Sequence, residues 1–141
     1  MPAPARLILV HKQRTSARIR FLRFADGVVA PDAFPKLSQV LGEDEDFRDS
    51  DVVVHPAMAV NQVVGKLGLS KDDIELETDF SSFVDTPEGV SAIYLGRITT
   101  MDPPFEAAEK VGGEFIAITD GRDLPPSELE LLRRAYQCVM E

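Results

Sequence analysis

Apolar residues recur at Val60, Val63, Val64 and Leu67, the spacing that lines one face of a helix, and they predict a helix over residues 56–69. Pro56, after His55, suits a first helical turn. Gly68 suits the left-handed residue that ends a helix, with Leu69 folding back onto it. A second helical pattern closes the chain over 127–140. Leu129, Leu132, Tyr136 and Val139, joined by Leu131 and Ala135, make its buried stripe. Arg133 and Arg134 fall on the outer side, and Cys138 lies near the stripe as a small apolar residue. Ser127 and Glu130 have the spacing of a reciprocal N-terminal cap.

Elsewhere the pattern is that of strands. Leu7, Ile8, Leu9 and Val10 follow one another within 6–11, as in a strand buried on both faces. Residues 17–24 alternate Arg18 and Arg20 against Ile19 and Phe21, with a strand end or bulge expected at Leu22-Arg23. The polar link 12–16 predicts that these two runs form an antiparallel hairpin. Residues 90–99 are the strongest strand. Val90, Ala92, Tyr94 and Ile98 lie on one side and Ile93 and Leu95 on the other, which suits a central position. Four weaker expectations complete the order: a short helical piece over 36–41, a half-buried strand over 74–83, two helical turns over 105–111 stopped by Gly112-Gly113, and a strand over 114–119.

A chain of 141 residues is expected to form one domain, 1–141, with residues 1–5 loose. No apolar run is long enough to span a bilayer, no secretory leader is visible, and the one cysteine has no internal partner, so a cytoplasmic protein is expected. The net charge of −9 is unevenly spread. Before Asp26 there are six bases and no acids: Arg6, Lys12, Arg14, Arg18, Arg20 and Arg23. Such a start can bind an anion or simply pair with the acidic body. The acidic balance argues against extended nucleic-acid binding. The run Glu43-Asp44-Glu45-Asp46 reads as a solvated loop, because a calcium loop wants alternating ligands around a glycine. His11 and His55, far apart and without a cysteine pattern, do not suggest a zinc site.

The order of helix, Gly-hydrophobic pair and strand resembles the Nudix fold. That family's motif is Gly, five residues, Glu, seven residues, then Arg-Glu-hydrophobic-any-Glu-Glu-any-Gly-hydrophobic. Laid on Gly68-Leu69, its helical part falls on residues 61–67, and Val63, Gly68 and Leu69 match its apolar frame. Asn61 stands where the motif has arginine, and Gln62, Gly65 and Lys66 stand where it has three glutamates. The upstream glutamate and glycine fall on Val53 and Phe47. The resemblance implies an α/β fold, a Nudix-like α/β/α sandwich with a mixed curved sheet.

In Nudix hydrolases the motif glutamates hold divalent cations, typically magnesium, that neutralise a pyrophosphate and prepare water for attack. Gln62 lacks the charge, Gly65 supplies no ligand, and Lys66 repels a cation. The expectation is therefore a catalytically degenerate Nudix-like domain without a cofactor. It would bind a nucleotide-like anion or a protein partner, including a second copy of itself. Arg18, Arg20, Arg23, Asn61, Gln62 and Lys66 are the candidate ligand contacts. One alternative is a divergent Mg2+-dependent phosphohydrolase of the nucleoside-diphosphate type, with its acids moved to Glu43, Glu45, Glu109 or Glu114. Another is a structural subunit with no ligand.

Overall fold

A computed structural model describes residues 5–30, 33–35, 37–41, 56–77 and 79–140. The acidic run at 43–46, the β-prone stretch 51–55 and His55 lie outside the described residues. Among the described residues, eight strands form one mixed sheet: β1 (Arg6–Lys12), β2 (Ile19–Arg23), β3 (Val29–Ala30), β4 (Gln39–Val40), β5 (Ile74–Leu76), β6 (Ser82–Thr86), β7 (Gly89–Ile98) and β8 (Glu114–Ile116). The α-helices among the described residues flank it: α1 (Ala57–Leu67), α2 (Phe105–Lys110) and α3 (Pro126–Met140). The strand order is β4-β6-β7-β1-β2-β8, with β3 beside β1 and β5 beside β7. β1 and β7 run parallel, and the other pairs are antiparallel.

The apolar run of β1 is buried throughout because both sheet faces are covered. Ile8 and Val10 join Phe21, Ile93 and Leu95 in a core closed by Leu131, Leu132, Ala135 and Val139 of α3. Leu7 and Leu9 join Leu22 and Ile98 in a second core closed by Ala59, Val63, Val64 and Leu67 of α1 and Ala108 of α2. Each large side chain fully buried in these layers contributes about 1.5–3 kcal/mol. Among the described residues, no helix is long and apolar enough to cross a membrane.

The two long helices, the hairpin and the central strand stand where the sequence pattern places them. Several details differ. β2 begins at Ile19 because the hairpin loop closes later: the Gln13 amide donates to Arg18 O at 2.9 Å and the Ala17 amide to Gln13 O at 2.7 Å. Ala17 takes a left-handed φ of 56°. Residues 39–40, expected in a helical piece, form a strand against β6, with Val40 opposite Val84. The single strand expected over 74–83 is two, because β5 and β6 pair with successive parts of β7. β8 ends at Ile116, and a 3-10 turn over Ile118–Gly121 follows.

The helix ends also need correction. α3 begins at Pro126, so Ser127 lies inside it, and Glu130 accepts from Arg133 and Arg134 rather than capping the start. Arg134 does not face outward: its side chain is 13% exposed and reaches Leu41 O. On α1, Ala59 is fully buried and Val60 only half-buried.

Candidate functional site: a groove between α1 and α2

α1 separates its roles by face. Ala59, Val63, Val64 and Leu67 enter the core, while Met58, Asn61, Gln62, Gly65 and Lys66 are exposed. Gly68 stops the helix in a left-handed conformation, φ 70°. Its amide donates to Gly65 O at 3.4 Å, and the Leu69 amide donates to Val64 O at 3.0 Å. This pair of bonds is a Schellman ending, and it turns the chain away while Lys66 stays on the rim.

Across from that rim stands α2. The break at Pro103-Pro104 starts α2 beside the end of α1, and the space between them is a groove of about 690 Å3. Lys66 and Gly65 line one side, and Phe105, Glu106 and Lys110 the other. Phe105 is 49% exposed. Its ring packs edge-on to Phe115 at 5.7 Å between centroids, which fixes its plane. The Arg20 guanidinium lies 5.8 Å from the Phe105 centroid, and the Lys66 ammonium 5.0 Å from that of Phe24.

Of the six candidate contacts, the fold brings Lys66 to the groove and Arg20 to its flank. Arg20 sits on the α1 side of the sheet and also donates to Gln13 Oε1 at 3.0 Å. Asn61 and Gln62 lie on the exposed face of α1. Arg23 points to the opposite side, where it grips both carboxylate oxygens of Asp123 at 3.0 and 2.8 Å. That bond raises the Arg23 pKa and lowers that of Asp123. Arg18 is exposed in the hairpin loop. The basic start of the chain is thus divided between two sheet faces. Phe105 and Lys110 are additions that sequence reasoning missed. The available signal was an aromatic residue directly after a Pro-Pro break, where it cannot be swallowed by the preceding strand.

The Nudix resemblance implies a divalent cation on α1, and the donors there do not suit one. Two neutral amides, a glycine and an ammonium offer no anionic oxygen. Among the described residues, no three His, Cys, Asp or Glu side chains group to hold a metal. Glu109 and Glu114 are exposed and belong to no such group, and Glu43 and Glu45 lie outside the described residues.

No family profile and no curated protein matches this chain. Among solved structures, the chain is similar to the crystal structure of C. elegans Ap4A hydrolase, a Nudix enzyme. The TM-score is 0.56, over 97% of this chain and 98% of that one, at 14% sequence identity. The architecture is therefore Nudix-like.

Proposed function

We propose that this chain is a Nudix-like domain that binds a nucleotide-like anion in the groove between α1 and α2, without the helix-borne metal chemistry of Nudix hydrolases. The observation that carries this reading is Lys66 on the groove rim, at a motif position where the family has a metal-binding glutamate. A bound phosphate then meets an ammonium directly, with Lys110 across the groove as a second cation. Phe105 supplies an exposed aromatic surface on which a base can stack. The named substrate of the similar solved structure, Ap4A, supports a nucleotide as the chemical class.

Isothermal titration with ADP in the absence of divalent metal tests this. The expected result is one bound ADP, adenosine binding more weakly, and no release of phosphate. Lys66→Glu and Lys110→Glu should each weaken ADP by about tenfold or more, the scale of a charge-assisted hydrogen bond. Absence of ADP binding, or ADP turnover that requires magnesium, would overturn the reading. A melt that ignores nucleotides but depends on protein concentration would point to a subunit role instead.

A further inference from the structure

The two parallel strands, β1 and β7, end on the same edge of the sheet, so the segments that leave them enclose space there. That space is a cavity of about 350 Å3, on the side of the sheet away from the α1–α2 groove and independent of the function proposed for it. Its lining is unusual for a chain of net charge −9. Lys12, Arg14 and Arg97 line it together with one carboxylate, Glu75; three cations less one anion leave a balance of two positive charges. Lys12 and Arg14 are exposed and pair with nothing among the described residues. Arg97 has a 3.4 Å contact with Glu77, and its buried Nε has no hydrogen-bond partner among the described residues. One buried donor of this guanidinium is therefore unsatisfied within the protein, which is costly.

The walls are built firmly. His11 is fully buried, and its Nε2 lies 2.8 Å from Thr100 O. A carbonyl only accepts, so the ring carries its proton there. Gln13 Nε2 donates to Asp102 Oδ1 at 2.9 Å, tying the two loops together. Thr99 and Thr100 donate their hydroxyl protons to Asp72 O and Asp102 O at 2.9 and 2.7 Å, which leaves each hydroxyl oxygen able to accept.

We propose that this cavity binds a sugar phosphate. A phosphate monoester carries a charge of about −1.5 to −2 at neutral pH, opposite in sign to the lining, which stays net positive even with Glu77 set against Arg97. Arg97, Lys12 and Arg14 take the phosphate oxygens. Glu75 accepts from sugar hydroxyls, and the oxygens of Thr99 and Thr100 accept from others. The volume sits at the low end of the roughly 300–1,000 Å3 of small-ligand sites, more space than a bare phosphate fills.

Titration of the full chain with glucose 6-phosphate, glucose and inorganic phosphate, followed by calorimetry, tests the proposal. Glucose 6-phosphate should bind one to one, and glucose and inorganic phosphate each about tenfold more weakly or worse. Arg97→Gln should weaken glucose 6-phosphate about tenfold or more, as should Lys12→Glu, whose exposed position keeps the fold out of question. Lys66→Glu, at the other site, should leave this binding unchanged. No binding at about 10 mM, equal affinity for inorganic phosphate, full affinity in both Arg97→Gln and Lys12→Glu, or loss in Lys66→Glu would each overturn it.

Discussion

The two long helices hold to the same sheet by different means. α3 is tied by polar bonds as well as apolar ones. Glu128, 6% exposed, accepts the Val28 amide through Oε1 at 2.7 Å. Arg134 spans from Glu130 Oε2 at 3.0 Å to Ser82 Oγ at 3.3 Å and Leu41 O at 3.1 Å, so it joins α3 to the segments of β6 and β4. α1 packs through Ala59, Val63, Val64 and Leu67, and its polar residues Asn61, Gln62 and Lys66 face solvent. The contrast separates scaffold from display. Directional bonds fix where α3 sits, while α1 leaves its polar groups facing solvent.

The largest effect should come from disturbing the seat of α3. Gly27 has φ 142°, a conformation that side chains rarely adopt, and a Cβ there would collide with Glu128 Oε1. Gly27→Ala should cost about 2–4 kcal/mol, combining backbone strain with overpacking, as read from urea denaturation. Arg134→Ala should cost about 1–3 kcal/mol by removing charge-assisted bonds across α3, β6 and the end of β4. By contrast Asn61→Ala and Gln62→Ala should stay within about 0.5 kcal/mol of the parent. If Gln62→Ala proved as damaging as Arg134→Ala, the division between scaffold and display would fail.

A smaller effect sharpens the same contrast through pH. Burial raises the Glu128 pKa, and the bond from the Val28 amide offsets this only in part. The folded state thus holds its proton more tightly than the unfolded chain does. Stability contributed by this group declines as pH rises from its ordinary 4.5 through the raised folded value. Glu128→Gln keeps an oxygen that can accept from Val28 and has no charge to desolvate. It should flatten the stability–pH curve above 4.5 and leave stability at neutral pH equal to the parent or higher, in urea melts across that range. A steeper curve in the variant would show that Glu128 is not the group being desolvated. Asp123 works in the opposite sense. Its pKa is lowered by Arg23, so its contribution is lost as pH falls.

Much of this arrangement was legible because it is local. Gly68 and the doubly apolar run of β7 each act within a few residues and are found as expected, and the α1 spacing is found with Ala59 taking the buried place expected of Val60. What the sequence hid is set by distant pairing. Gln39 and Val40 become a strand because Asp85 and Val84 lie opposite them, and no periodicity over two residues reveals that. Residues 74–83 break because β7 is long enough to pair with two short strands in turn. Arg134 looks external on a helical wheel, yet Leu41 O, far off in sequence, draws it inward. The candidate sites divide in the same way. Lys66 could be found from the helix pattern. Arg97 could not, because Lys12 and Arg14 meet it only through the parallel register that sets Val10 beside it.

The display role of α1 also predicts that its outer face can be rebuilt at little cost to the fold. Nothing lies within 4 Å of a Cβ placed on Gly65, so a longer side chain there enters open space. Replacing a mid-helix glycine gains about 0.5–1 kcal/mol. Removing the Lys66 ammonium from the Phe24 ring loses about 0.5–1 kcal/mol, so the stability of Gly65→Glu with Lys66→Glu should be close to the parent's. The same pair places two carboxylates, adjacent on the exposed face, where the motif alignment expects glutamates. Millimolar magnesium or manganese should then raise the melting temperature of the double variant and not that of the parent, since a ligand that binds the folded state stabilises it by mass action. A folded double variant indifferent to both ions would mean that Gly65 and Lys66 do not occupy the metal-holding positions of the Nudix helix, whatever the backbone around them resembles.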